Sequence, residues 1–242
     1  MWINGQIQED KGQMINTVLW DIDGTLLDFK KSEEVALTGC FRSFSVELTK
    51  EQTALYSSIN DKCWKLLEQG KATREEILVR RFVEFLAAIG YDQIDPERVR
   101  DVYEKRLGDV HFFEPGSPDV CRRLFGKVRQ YIVTNGTEHV QRRKLKNSGL
   151  GQYMDGVFIS QAIEATKPEK AFFDKCAAAI PGYKPENTII IGDSLSSDME
   201  GGNRAGIRCC WYNPFGQSLP GNIRIDHDIR SLDEVDDIVL KG

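Results

Sequence analysis

The chain has 242 residues, of which 40% are hydrophobic and 29% are charged, and this length allows a core domain with a smaller inserted one. The net charge of -5 without a dominant basic patch argues against a nucleic-acid partner. The chain contains no run of 18 apolar residues, so no membrane span is predicted, and the polar residues 1–13 contain no apolar signal-peptide core. We therefore expect a cytoplasmic protein, with residues 1–13 as an N-terminal extension outside the fold. No feature predicts its oligomeric state.

The cysteines and histidines do not predict a metal site. The six cysteines are Cys40, Cys63, Cys121, Cys176, Cys209 and Cys210. None of them has the Cys-x-x-Cys spacing, so reduced thiols that fill the core are expected. The three histidines are His111, His139 and His227. Because they are far apart along the chain, neither a zinc site nor a Ser-His-Asp triad is predicted.

The first half of the chain predicts one strand and then only helices. The strand covers Asn16–Trp20, and helical spacing of apolar residues extends from about Lys30 to Gly108. The residues with that spacing are Leu37, Cys40, Phe41, Phe44 and Leu48 in one helix and Leu55, Ile59, Cys63, Trp64 and Leu67 in the next. A helix over Ile77–Ile89 follows a Thr73-x-x-Glu76 capping box, and the pair Asp95-Pro96 begins a fourth helix.

From Gly126 onward, predicted strands and helices alternate. The strands are Val128–Val133, Gly156–Ile159, Thr188–Ile191, Ile207–Trp211 and a short one near Ile223–His227. The helices are Glu138–Ser148, Pro168–Ile180, Asp198–Ala205 and a closing helix from Ser231. The basic run Arg142, Arg143 and Lys144 reads as a solvated face of the first of these helices. Alternation of this kind predicts an α/β fold with a Rossmann-like parallel sheet.

More than a hundred residues separate the first strand from the second, whereas a strand-to-helix connection normally takes about two to six. The interval therefore predicts an all-helical domain inserted after strand 1. We place the core at residues 14–28 and 113–242 and the inserted cap at residues 29–112. The chain would cross between the two near 28–30 and 112–116, and these crossings are expected to act as hinges.

Two carboxylates end the first strand. Asp21 and Asp23 are two residues apart and therefore tend to share a face, where a cation would have to offset their repulsion. One carboxylate can attack phosphorus while the other transfers protons, which makes this a candidate phosphoryl-transfer centre. The alternative is an ordinary strand-to-turn junction, because Asp23-Gly24 is a common turn pair.

Three later segments also carry polar chemistry at strand ends, where ligands of open parallel sheets bind. Thr134 and Asn135 suit phosphate oxygens at a helix N-terminus, although Asn-Gly also marks a plain turn. Lys167 is predicted to open a helix, where a lysine disfavoured by the helix dipole hints at a bound anion. The alternative is a Thr166-x-x-Glu169 capping box beside a solvated lysine.

The last of these segments predicts magnesium ligands. Asp193 follows a buried strand and Asp198 begins the next helix. Mg²⁺ takes hard oxygen ligands, often one or two carboxylates together with water and substrate phosphate. For Asp198 the alternative is a position in the first helical turn behind a Ser197-x-x-Glu200 capping box, which favours acids in any case.

Taken together, these motifs resemble the haloacid dehalogenase-like hydrolase superfamily with a type-1 cap. The matching residues are Asp21-x-Asp23-Gly24-Thr25, Thr134, Lys167-Pro168 and Gly192-Asp193-x4-Asp198. Further segments are similar to the pyrimidine 5′-nucleotidases that act on non-standard nucleotides. These are Ile132–Gly136, the stretch ending at Ser148-Gly149-Leu150, Gly201–Gly206 and Cys210–Asn213.

The resemblance implies a magnesium-dependent phosphatase acting on a small phosphorylated metabolite. Asp21 would be the nucleophile that forms an aspartyl-phosphate, and Asp23 the general acid and base. Thr134, Asn135 and Lys167 would hold the phosphoryl group. The implied Mg²⁺ ligands are Asp21, Asp193, Asp198 and the backbone carbonyl of Asp23.

The second carboxylate, Asp23, favours phosphate esters over carbon–halogen bonds, since the superfamily's dehalogenases lack it. A nucleoside 5′-monophosphate is the expected substrate class. A sugar phosphomutase, a phosphoglycolate-type phosphatase and a non-catalytic binding module are the alternatives, and the sequence does not select the substrate.

Overall fold

The structure is a computed structural model that describes residues 14–219 and 221–241. Across these residues, six strands form a parallel sheet in the order β3-β2-β1-β4-β5-β6. The strands are Thr17–Trp20 (β1), Arg129–Thr134 (β2), Gly156–Ile159 (β3), Thr188–Gly192 (β4), Arg208–Tyr212 (β5) and His227–Ile229 (β6). All four residues of β1 are buried because β2 and β4 flank it.

Four helices separate β1 from the rest of the sheet, as the long interval predicts. They are Phe29–Arg42 (α1), Lys50–Glu68 (α2), Arg74–Ile89 (α3) and Pro96–Asp109 (α4). Thr73 and Glu76 form the predicted capping box of α3, and Asp95 caps α4 with Pro96 in its first turn. The apolar stripes of these helices meet in one aromatic core, where Tyr56 stacks on Phe82 with ring centroids 5.3 Å apart.

The remaining helices cover the two faces of the sheet. They are Ser117–Leu124 (α5), Glu138–Ser148 (α6), Ser160–Ile163 (α7), Lys170–Ala179 (α8), Glu200–Ala205 (α9) and Val235–Leu240 (α10). Because strand side chains alternate, Trp20 and Ile191 pack towards α5 and α10, whereas Leu19 and Ile190 pack towards α8. This layered α/β arrangement with an inserted helical cap confirms the predicted fold class.

The sequence pattern does not predict helix α5, although its Ser-Pro beginning and the spacing of Val120, Cys121 and Leu124 are compatible with a helix. Eight residues are too few for a clear periodic signal. The six cysteines are all buried free thiols, as expected.

Three predicted element positions near strand ends are wrong, each because a side chain bonds the backbone. The Asn135 amide accepts from the Lys167 backbone N–H and donates to its carbonyl, both at 2.9 Å, so α8 begins only at Lys170. Asn203 bonds both backbone groups of Arg224 in the same way, so β6 begins at His227 rather than near Ile223.

The segment before α9 also differs from the prediction. Residues Leu195–Met199 form a π-helical turn, so Asp198 lies inside it rather than at the first turn of an α-helix. The cap of this turn is Ser194, whose side chain accepts a hydrogen bond from the backbone of Ser197. The capping boxes at Thr166 and Ser197, which were the alternatives for Lys167 and Asp198, are not formed.

The two segments that join the core to the helical cap are hydrogen-bonded to one another. The backbone N–H of Asp28 donates to the carbonyl of Phe112 at 2.9 Å, and that of Glu114 donates to Leu26 at 3.1 Å. Both crossings therefore lie side by side, directly beyond the carboxyl end of β1.

Candidate active site

The site is built on the carboxyl end of β1, in the centre of the sheet. Asp21 extends the strand by one residue, because its backbone N–H donates to the carbonyl of Ile191 at 2.9 Å. Its side chain is buried. The Thr25 hydroxyl lies 3.4 Å from an oxygen of Asp21 and 3.4 Å from an oxygen of Asp193. The turn after β1 thus joins the predicted nucleophile to the carboxylate at the end of β4.

Lys167 places a buried ammonium between two of these carboxylates. Its Nζ lies 2.7 Å from Asp21 and 2.6 Å from Asp198, and it donates to the carbonyl of Val133 at 2.9 Å. The side chain is 1% exposed, so these bonds replace its hydration. The alternative of a solvated lysine beside a capping box is therefore excluded.

Burial controls the ionisation of this cluster. It raises the pKa of Asp21 from 3.8 to about 7, against the attraction of Lys167 and with a further increase from Asp198. The pKa of Asp193 is also raised, mainly by its burial and further by the negative charges of Asp21 and Asp198. Burial opposes the charge of Lys167, yet the charges of Asp198 and Asp21 raise its pKa. When all three carboxyl groups are ionised, the cluster carries more negative charge than one lysine neutralises.

The donor set fits a divalent cation. Oxygen atoms of Asp21, Asp193 and Asp198 all lie within 4.8 Å of one another. Within the described part of the chain, Asp193 forms no ion pair with a lysine or arginine. Gly24, at φ +92°, leaves room for it, because a Cβ there would lie 2.6 Å from a carboxylate oxygen of Asp193. Three clustered carboxylates with one of them uncompensated are a suitable oxygen site for Mg²⁺.

The two predicted phosphate-binding residues at the end of β2 occupy different places. The Thr134 hydroxyl accepts from the backbone N–H of Gly136 at 3.1 Å and lines the same cavity as Asp21. Asn135 also lines the cavity, but its amide is occupied by the backbone of Lys167. Asn135 therefore fixes the segment that carries the lysine, and its role towards phosphate stays a prediction.

The Asp23 side chain lies apart from the carboxylate cluster and binds helix α6. The ammonium of Lys144 lies 2.6 Å from one oxygen of Asp23, and the amide of Gln141 donates to the other. Lys144 is 1% exposed, so the prediction of a solvated face is wrong at this position. The sequence feature that could have indicated this shared contact is the spacing of Gln141 and Lys144, which are three residues apart and therefore lie on one face of α6.

A cavity of about 670 Å³ extends from the carboxylate cluster to the helical cap. On the cap side its lining includes Phe29, Lys30, Asp61, Trp64 and Glu68. On the core side, beyond the predicted residues, it includes Glu114, Trp211 and Tyr212. Burial raises the pKa of both Glu68 and Glu114. Tyr103 is buried in the aromatic core of the cap.

Arg74, at the start of α3, connects the cap to the core beside the cavity. One guanidinium nitrogen donates to the backbone carbonyl of Asn135 and another to the hydroxyl of Ser160, both at 2.5 Å. The guanidinium also lies 5.7 Å from the ring centroid of Trp64. No local sequence pattern predicts this role of Arg74, since its partners are 61 and 86 residues away.

Comparison with known proteins agrees with this geometry. The family model of haloacid dehalogenase-like hydrolases matches residues 15–206. The chain belongs to this hydrolase family. The HAD-hydrolase YfnB of Bacillus subtilis is 36% identical over 219 residues, covering 90% of this chain and 93% of its own. The pyrimidine 5′-nucleotidase PynA of Streptococcus pneumoniae is 35% identical over 198 residues, covering 81% and 83%. The predicted family and its nucleotidase branch are thus confirmed.

Solved structures support the fold. A crystal structure of YfnB from Bacillus subtilis, bound to magnesium and described as revealing interdomain movement, has a TM-score of 0.89 and 35% identity, covering 93% of this chain and 99% of its own. L-2-haloacid dehalogenase from Xanthobacter autotrophicus has a TM-score of 0.73 at 16% identity, covering 95% and 99%, which shows the shared fold alone. In the described ranges, no helix is both long and apolar enough to span a membrane.

Proposed function

We propose that this chain is a magnesium-dependent phosphatase that releases phosphate from nucleoside 5′-monophosphates through an aspartyl-phosphate. The observation that supports this most directly is the pairing of Asp21 with Lys167 in the cavity that Asp23 also lines. A carboxylate nucleophile needs a neighbouring cation when its target is a phosphate dianion, because the two would otherwise repel each other.

In the first proposed step, a carboxylate oxygen of Asp21 attacks phosphorus while the bond from phosphorus to the ester oxygen breaks. Asp23 gives its proton to that leaving oxygen, so the product departs as an alcohol. In the second step, water attacks phosphorus and Asp23 takes its proton. The bond between Asp21 and phosphorus breaks, which returns the carboxylate and releases inorganic phosphate.

The other site residues would orient the phosphoryl group and balance its charge. The ammonium of Lys167 and the hydroxyl of Thr134 would bind phosphoryl oxygens. Mg²⁺, held by Asp21, Asp193, Asp198 and the carbonyl of Asp23, would supply positive charge that stabilises the phosphoryl oxygens in the transition state. Lys144 and Gln141 would hold the Asp23 carboxyl in place between the two steps.

The nucleotide assignment is supported by the size of the cavity and by the relatives. A volume of about 670 Å³ is in the usual range for small-molecule sites. PynA and the 25% identical YjjG of Escherichia coli are both named pyrimidine 5′-nucleotidases. Trp64 lines the cavity and offers an aromatic surface to a base, in addition to its packing role.

We also propose that the cap, residues 29–112, moves against the core, residues 14–28 and 113–242. The paired crossings at Asp28 and Phe112 would be the hinge. The interdomain movement described for the related YfnB supports this proposal. A cap angle that is identical with and without substrate and Mg²⁺ would contradict it.

The proposed function is tested by phosphate release from a panel of monoesters, with Mg²⁺ and with a chelator. The panel contains uridine, thymidine and purine monophosphates, phosphoglycolate and hexose phosphates. Magnesium-dependent release that is highest for pyrimidine monophosphates is expected. Asp21→Asn should abolish turnover in a folded protein, whereas Asp174→Asn, on the exposed side of α8, should leave it unchanged. Full activity of Asp21→Asn would exclude the proposed nucleophile.

Two alternatives have distinct outcomes in the same experiment. Preferred release from phosphoglycolate would indicate a phosphoglycolate-type phosphatase. Conversion of one sugar phosphate isomer into another without net phosphate release would indicate a phosphomutase.

A further inference from the structure

The cations that line the cavity are all occupied, as far as the described residues extend. They are Lys30, Arg81, Lys144 and Lys167. The two last bind Asp23 and Asp21 at the catalytic end. At the cap end, Lys30 lies 2.9 Å from Asp61, and Arg81 lies 3.4 Å from Glu104. A second anionic group on a substrate would therefore have to compete with a carboxylate for any of these cations.

Arg81 is the less available of the two cap cations. It is buried, and it also donates to the amide oxygen of Asn60 at 3.0 Å. Its guanidinium lies 5.1 Å from the ring centroid of Phe82 and 5.2 Å from that of Tyr103. Lys30 and Asp61, in contrast, lie at the rim with side chains 59% and 51% exposed.

Among the described residues, three further carboxyl groups that line the cavity accept hydrogen bonds from neutral donors only. Asp28 accepts from the backbone N–H of Lys31 at 2.9 Å. Glu68 accepts from the hydroxyl of Ser196 at 2.7 Å, and Glu114 from that of Tyr212 at 3.1 Å. Whether ionised or protonated, these groups offer no positive charge to a ligand. Beyond the phosphate site, the wall therefore carries these three carboxyl groups, and its two cations, Lys30 and Arg81, are each paired with a carboxylate.

We infer that the cavity selects phosphate monoesters whose remaining part carries no negative charge. This inference rests on the proposed phosphatase function and narrows its substrate class. A pyrimidine nucleoside is uncharged beyond its phosphate and satisfies the requirement. A monoester with a carboxylate, or a sugar bisphosphate of the kind that a phosphomutase must hold, does not.

The test compares matched substrates that differ in one negative charge. Glycerol 3-phosphate is paired with 3-phosphoglycerate, and glucitol 6-phosphate with 6-phosphogluconate, and kcat/KM is measured for each with Mg²⁺. The member of each pair without the carboxylate is expected to have at least a tenfold higher kcat/KM at low ionic strength. Because salt screens the repulsion, that ratio should fall as the ionic strength rises.

A variant tests whether the occupied cations cause this selection. Asp61→Asn removes the carboxylate that binds Lys30. It should raise kcat/KM for the carboxylate-bearing substrates severalfold relative to the matched substrates without the carboxylate. Asp174→Asn is the matched control, since it frees Lys170 on the outer surface of α8. It should leave the ratio unchanged.

The outcomes separate this inference from the proposed function. Equal kcat/KM within each pair, at all ionic strengths, would overturn the inference and leave a phosphatase. A ratio that Asp61→Asn does not change would also overturn the assigned role of the Lys30–Asp61 pair. No phosphate release from any substrate, pyrimidine monophosphates included, by a folded protein would overturn the proposed function itself.

Discussion

Replacing Asp21 with Asn is expected to stabilise the metal-free protein above neutral pH, although it removes the proposed nucleophile. Burial raises the pKa of Asp21 from 3.8 to about 7. Between these values the folded state binds more protons than the unfolded state, so the free energy of unfolding falls as the pH rises. The full difference corresponds to about 4 kcal/mol of stability, lost once the carboxyl has ionised in the folded state.

The assay is thermal unfolding, followed by circular dichroism in the presence of a chelator at pH 5 and pH 8. Asn cannot ionise, so the variant avoids the cost that burial imposes on the Asp21 carboxylate. Its Tm advantage should increase with pH and reach about 8–16 °C at pH 8 for a chain of this size. The exposed Asp174→Asn variant is the control and should show no such increase.

Two results would refute this reasoning. The first is a variant that is less stable than the wild type at pH 8 without metal. That result would mean that the ion pair of Lys167 with the Asp21 carboxylate stabilises the fold by more than burial of this carboxylate destabilises it. The second is a Tm difference that does not change with pH. In the wild type, added Mg²⁺ should raise the Tm more at pH 8 than at pH 5, because protons compete with the metal for the same carboxylates.

Three further substitutions test single contacts of the site. Lys144→Met should lower kcat by about 10²-fold or more and alter the pH profile, because it releases the Asp23 carboxyl from its position. Arg74→Ala should lower kcat/KM by about tenfold, because the loss of the guanidinium frees the loop after β2 from the cap. Arg74→Lys should recover part of the lost kcat/KM. Gly24→Ala should weaken Mg²⁺ binding, measured by calorimetry, because its Cβ would meet Asp193. Unchanged values in these assays would contradict the corresponding contact.

Positions at strand ends could be predicted from the sequence because two strong regularities coincide there. Buried parallel strands read as apolar runs, and their carboxyl ends meet at one edge of the sheet. Asp21, Thr134 and Asp193 each directly follow or end such a run, so their proximity follows from topology alone. The helical insertion was equally predictable, since no short connection joins β1 to β2.

Contacts between distant elements could not be predicted in this way. The basic run predicts a solvated face at Lys144 because the sequence of one helix does not show which residues of other elements pack against it. Its partner, Asp23, is 121 residues away. The start of α8 was missed for a related reason, because the Asn135 amide that holds Lys167 in a non-helical conformation is 32 residues away.

The strand order gives a physical reason for the division of work within this chain. In the order β3-β2-β1-β4-β5-β6, β1 is where the chain first extends the sheet to one side and later to the other. Such a switch point leaves a crevice beyond the strand ends, between β1 and β4, where Asp21 and Asp193 meet. The cap is inserted directly after β1 and therefore covers this crevice. Substitutions in the core should accordingly change kcat for all substrates, whereas substitutions at cap residues such as Asp61 should change the ratio between substrates.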